Sequence, residues 1–329
     1  MRSQRMILTA LNGTRAMADL TWLPWDWVSD PQIAATRGWL PHRLLSSTIL
    51  HDLEGNMIEY RRQIGLHMYR PNIQKQRLAV FLDTAFETVR EIGITWDFPA
   101  LALFWLHMGF AAVLATLLDG LRQLCPNVYT RPFDYIDAID RKKIPGLRHQ
   151  WIEALSLQAN PEPMALSLKR IHAQISAKFP EPVWPENMRT GTRFEYRYWS
   201  SPEEIAWRIS VAAEMARRGD SASAVFYLRF CAYAVARIPM VHACARAKQN
   251  VSFLRPECAV LPQLQNLAPE IVDDLESILG GTISLDSDEI TKSLEMLLSF
   301  RDDSLSWLRA RGAPTPELQD WKPYRPEAA

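Results

Sequence analysis

The side chains with the clearest chemical capacity fall in a few short stretches. Tyr129, Arg131, Asp134 and Tyr135 bring a guanidinium, a carboxylate and two phenols close together in sequence. Such a set can hold a polar substrate through charge-assisted hydrogen bonds. The same residues also describe a turn packed by tyrosines. Arg189, Arg193 and Arg197 interleave with Tyr196, Tyr198 and Trp199. Cations beside flat rings suit a nucleotide or an acidic partner, and equally a solvated loop with aromatic anchors. His107 stands alone in an apolar run, as a substrate contact or as a core imidazole bonded to a carbonyl. Asp286-Ser287-Asp288 follows Gly280-Gly281-Thr282 too closely for a phosphate turn and its helix, and Asp288-Glu289 reads as a helix first turn. No metal is assigned to it.

Other chemistries are disfavoured by spacing and charge. Cys125, Cys231, Cys244 and Cys258 show no C-x-x-C pair, so neither a metal knuckle nor a disulfide framework is expected. The 13 glycines form no G-x-G-x-x-G or G-x-x-x-x-G-K-[ST] motif. Lys+Arg and Asp+Glu are 37 each, for a net charge of zero, which gives no strong nucleic-acid signal.

The elements that must position these groups are mostly helices. Twenty-two prolines imply many short elements with definite stops. At the N-terminus, Asn12-Gly13 lies between Met6–Leu11 and Met17–Leu23 and predicts a hairpin in preference to a targeting segment. Ser46–Leu53 is the expected third strand. From Pro71 the apolar period becomes helical, with a helix of about five turns first. No charged residue occurs from Phe98 to Leu118. That run is long enough to cross a bilayer at roughly 20 residues. A central helix surrounded by neighbours explains it equally and is preferred, because no second such segment is evident and no basic cluster marks one side. Helices are expected at Leu147–Leu157 and Met164–Phe179, and a long loop at Pro180–Trp199. Ser201-Pro202-Glu203-Glu204 opens a helix that ends at Arg217-Arg218-Gly219, and Asp220 or Ser221 caps its antiparallel partner. Pro269–Leu279 and Asp288–Ala310 read as the last helices, followed by a loose tail from Gly312.

This order resembles the DNA polymerase β-like nucleotidyltransferase superfamily. Asp19-Leu20-Thr21-Trp22-Leu23-Pro24, with Trp27 and Asp30-Pro31, is similar to the strand bearing that family's third catalytic carboxylate. Thr48 to Gly55 resembles its closing strand, Leu103 to Leu121 the first long helix of its helical domain, and Gly219 to Ala224 with Tyr227-Leu228-Arg229 a later helix pair. The resemblance implies a mainly α, multi-helix bundle with a small N-terminal α/β element. The expected divisions are a partial nucleotidyltransferase-like element at 1–65, a helical domain at 66–311 and the tail at 312–329. It makes Asp19 a metal ligand and general base, and places the acceptor near His107, Tyr129, Arg131, Asp134 and Tyr135. The cofactor would be Mg²⁺ where the core is complete, with a nucleotide and a small-molecule acceptor as ligands. Departures matter here. The family's glycine-serine turn and D-x-D are not found upstream of Asp19, so a late start or lost transfer activity is expected. The alternative is a non-catalytic α-helical interaction protein with a protein partner. A cytoplasmic location, with no membrane, is expected on either reading.

Overall fold

A computed structural model describes residues 2–9, 15–22, 28–49, 52, 54–94, 99–129, 131–140, 146–251, 260–280 and 287–317 of the chain. Strands β1 (Arg2–Thr9) and β2 (Arg15–Trp22) pair antiparallel, with Arg5 opposite Asp19 in the register. The Asn12-Gly13 turn lies outside the described residues.

The expected third strand is not formed among the described residues of Ser46–Leu53. Instead helix α1 (Pro31–Thr36) is followed by α2 (Trp39–Ser46), which runs into that segment. The reason is local: Leu40, Pro41 and His42 are all buried in the helix, and Ser46 turns its hydroxyl back to the His42 carbonyl at 2.7 Å. Helix α3 (Asn56–Met68) starts directly after Gly55, and residue 65 lies within it. The mainly helical character is therefore present, while the described residues show an N-terminal hairpin followed by helices and no further strand that would make a nucleotidyltransferase-like α/β element. Ala34, Ala35, Leu40, Ile64 and Ile73 form a small apolar cluster of their own under these helices.

Helices α4 (Pro71–Ile94) and α5 (Pro99–Gly120) lie side by side and antiparallel, as the pairing of Arg77 with Asp119 near one end shows. From Ala102 to Leu118 almost every side chain of α5 is buried. After α6 (Phe133–Asp140) and α7 (Leu147–Ala154), helix α8 (Pro161–Lys178) leads into a correction. Pro180–Trp199 is not one long loop: helix α9 occupies Thr190–Ser200. Its buried residues Thr192, Tyr196 and Trp199 recur at helical spacing and outweigh a composition rich in Arg and aromatic residues. Only the proline-rich part before it is irregular.

The next pair follows its capping chemistry. Helix α10 (Pro202–Arg217) begins where Ser201 Oγ accepts the Glu204 N–H, and ends with Gly219 at φ +83° and the Asp220 N–H returning to the Met215 carbonyl at 3.0 Å. Asp220 then caps α11 (Ser221–Ala236), accepting from the Ser223 N–H at 3.2 Å. α11 is buried nearly all round and continues past Arg237 into α12 (Ile238–Arg246). Helices α13 (Val260–Leu267), α14 (Val272–Gly280) and α15 (Ser287–Ala310) complete the bundle, with a short 3₁₀ turn at Pro269–Ile271. α15 runs parallel to α5, since Leu297 reaches Gly109 and Leu308 reaches Gly120.

A second apolar segment was not evident from charge-free length alone, and the fold supplies one. Ala102–Gly120 and Ser221–Arg246 are both long and apolar enough to cross a membrane, and 94% of each such window is buried by neighbouring helices. The second was hidden by Arg229 and Arg237, both of which turn inward.

Candidate functional site

Asp19 sits in the interior of β2, and its side chain lies outside the described residues. The Mg²⁺ that the resemblance implies needs several carboxylates converging on one point. Among the described residues no group of three His, Cys, Asp or Glu side chains could hold a metal ion. Asp286 is outside the described residues, while Asp288 and Glu289 occupy the first turn of α15, where acids complement the helix dipole.

His107 is 1% exposed, on the inner face of α5. It stacks on Phe226 with centroids 4.5 Å apart, and its Nε2 lies 3.5 Å from Nη1 of Arg229. Burial, reinforced by the Arg229 charge, holds its pKa well below the ordinary 6.5, so it is a neutral imidazole at pH 7. Arg229 has no carboxylate partner among the described residues. It donates to the carbonyls of Leu155 (2.6 Å) and Ser156 (3.0 Å), where α7 has ended and Ser156 takes φ +49°. A guanidinium thus caps the exposed carbonyls of a buried helix end, and burial pulls its pKa down to about 9. This assembly lies enclosed in the core, with His107 and Arg229 each 1% exposed.

A second buried constellation has the residue types of a nucleophilic triad. His42 Nδ1 accepts the Cys125 N–H at 3.2 Å and lies 3.7 Å from its Sγ. That bond places the imidazole proton on Nε2, which is 3.2 Å from Asp119 Oδ1 but not aligned as a hydrogen bond. Arg77 grips the same Oδ1 through Nε (2.9 Å) and Nη2 (2.8 Å), and its Nη1 donates to the Ala35 carbonyl at 2.6 Å. Gln74 donates to the Asp119 carbonyl at 2.8 Å. The arrangement ties α1, α2, α4 and α5 together and is unsuited to catalysis. The thiol is 1% exposed, burial pushes its pKa far up, and the Nδ1 lone pair that would take its proton already holds a backbone N–H.

The cations and aromatics of α9 are likewise engaged within the fold. Arg193 donates to the carbonyl of Pro185, Arg197 pairs with Glu181 at 2.7 Å, and Tyr196 donates to the Phe179 carbonyl at 2.6 Å. Arg208 of α10 lies 4.3 Å from the Trp199 ring centre, donates to the hydroxyl oxygens of Tyr198 (2.5 Å) and Tyr227 (2.9 Å), and pairs with buried Glu204 at 2.6 Å.

The set at 129–135 divides. Tyr129 is packed against the core, and Tyr135 accepts the Asn127 N–H at 3.3 Å, as a tyrosine-packed turn requires. Arg131 instead faces outward from the α5–α6 connection. With Ser210, Val211, Glu214, Met215, Arg217 and Arg218 of the α10 region it lines an open groove of about 560 Å³. Arg131 makes no side-chain ion pair among the described residues. Asp134 is a more distant electrostatic neighbour, whose pKa is raised by partial burial and held back by the Arg131 charge. Opposite, Glu214 alone serves both Arg217 and Arg218, the latter at 2.6 Å. The arginines Arg217 and Arg218 read in sequence as helix-end residues, and their second role was missed. The available signal was the stripe Trp207, Val211, Met215 at intervals of four on α10, of which Val211 and Met215 are only partly buried against the core and Trp207 is 44% exposed.

Of the candidate acceptor residues, the structure brings Arg131, Asp134 and Tyr135 near one another and leaves His107 in a separate core assembly. No protein-family model, no curated protein and no solved structure matches the chain.

Proposed function

We propose that this chain is an α-helical interaction protein, acting through a surface and not through a reaction centre in its helical body. One contrast carries the reading. The two assemblies that bring together residue types suited to a reaction centre, Cys125 with His42 and Asp119, and His107 with Arg229, are buried and bonded to one another or to the backbone. The groove between Arg131 and α10, by contrast, is open and edged by guanidinium groups with a carboxylate between two of them. Ligand recognition by a partner surface needs only such fixed charge and apolar area, whereas catalysis needs a reactive atom that substrate can reach.

A nucleotidyltransferase-like role is the second reading, supported by the place of Asp19 inside a strand of the N-terminal hairpin. Titration of the purified chain with magnesium ATP and GTP separates the two. The interaction reading expects no saturable, magnesium-dependent binding at millimolar nucleotide. Binding that is lost in Asp19→Asn would replace it with the transferase-like reading.

A further inference from the structure

Resting on the interaction reading, we infer that the groove between α10 and Arg131 docks an acidic peptide segment of a partner protein that carries apolar anchors, in the manner of a helix laid along a helix.

Three features select this occupant. The first is charge: Arg131 lines one wall with no ion pair among the described residues and Asp134 only as a more distant electrostatic neighbour, and Glu214 has one charge to share between Arg217 and Arg218 on the other. Both latter side chains are 75% exposed, so their forks remain open to an added carboxylate. The second is the apolar floor. Val211 and Met215 line the groove, and Trp207, 44% exposed, extends the stripe one turn further. Residues at these intervals of four span about 12 Å along the helix, which matches anchors on successive turns of a bound helix. The third is shape. A small-molecule site encloses most of its ligand, but this groove is open along α10 and suits a segment that remains half in solvent. Nearby Arg148 adds no free charge, since it pairs with both Asp137 and Asp220 at 2.7 Å.

The test uses the full chain and a fluorescein-labelled peptide of about 14 residues, with leucines on one helical face and glutamates on the other. Its counterpart has lysine in place of every glutamate. Anisotropy should show saturable binding of the glutamate peptide only, weakening as salt rises from about 0.05 to about 0.5 M. Arg131→Glu and Met215→Glu should each weaken it at least about tenfold, the size of one lost charge-assisted contact or anchor. Arg62→Glu, the same charge change on exposed α3, should leave it unchanged, and matching circular dichroism establishes that the variants fold. Equal binding of the lysine peptide, no binding of the glutamate peptide, or no effect of Arg131→Glu overturns the acidic-segment inference alone. Saturable magnesium-nucleotide binding in the same preparation overturns the interaction reading beneath it.

Discussion

Asp119 keeps its carboxylate out of water at 0% exposure because Arg77 supplies two hydrogen bonds to one oxygen, although its second oxygen has no hydrogen-bond partner among the described residues. Removing one member of a buried pair strands the other charge. Arg77→Met should therefore cost about 3–5 kcal/mol in urea unfolding, and Arg77→Met with Asp119→Leu should recover most of the loss. A double variant no better than the single would mean that the pair is not the source of the cost. The thiol beside it gives a second test. In the native chain, mass mapping after iodoacetamide should find Cys244 modified, with Cys125 and Cys231 protected by burial. Modified native Cys125 would restore it as a reactive candidate. His107 gives a third. Its folded pKa lies below the unfolded 6.5, so the unfolded chain binds the extra proton between the two values. Stability from this group is complete above about pH 6.5 and is lost as pH falls through that window, at up to about 1.4 kcal/mol per pH unit. His107→Asn should flatten this part of the pH profile, and an unaltered profile would count against a neutral buried imidazole. His107 was legible as a core candidate because the residues around it are apolar. The pairing of His42 with Cys125 was not, since 83 residues separate them and neither has a distinctive local pattern.

At the scale of elements, close helix packing depends on glycine where two axes approach. A Cβ on Gly109 would stand 2.8 Å from Leu297 Cδ2 and 3.0 Å from Thr88 Oγ1, and both side chains are themselves buried. Gly109→Ala should destabilise the α4–α5–α15 contact by roughly 1–3 kcal/mol despite its better helix propensity. A gain in melting temperature would show that α15 does not pack against α5 as described. The capped helices α10 and α11 were readable to within a residue or so, because Ser201, Pro202, Gly219 and Asp220 encode their own boundaries. Helix α9 was not, because prolines before it and a run of Arg and aromatic residues within it imitate a loop. Only the buried row Thr192, Tyr196, Trp199 reveals the period. Ser46–Leu53 misled in the opposite sense: an apolar, β-branched stretch suggested a strand, but its first residue ends α2, with its hydroxyl donating back to the His42 carbonyl.

For the whole molecule, two buried apolar helices, α5 and α11, organise the bundle, and the inward arginines Arg77, Arg208 and Arg229 bind its helices together through carbonyls, rings and carboxylates. The balanced composition announced none of this, because charges spent in the interior and charges left on the surface count alike. What remains outside is the groove at α10, formed only when residues 131 and 211–218 meet, and so invisible to any local pattern. Amide hydrogen exchange on the full chain, with the glutamate peptide in one arm and magnesium ATP in the other, tests this account most directly. It predicts peptide-dependent protection in α10 and in the segment around Arg131, and no nucleotide-dependent protection in β2. Protection of residues 15–22 by magnesium ATP, with α10 unchanged by the peptide, would contradict it.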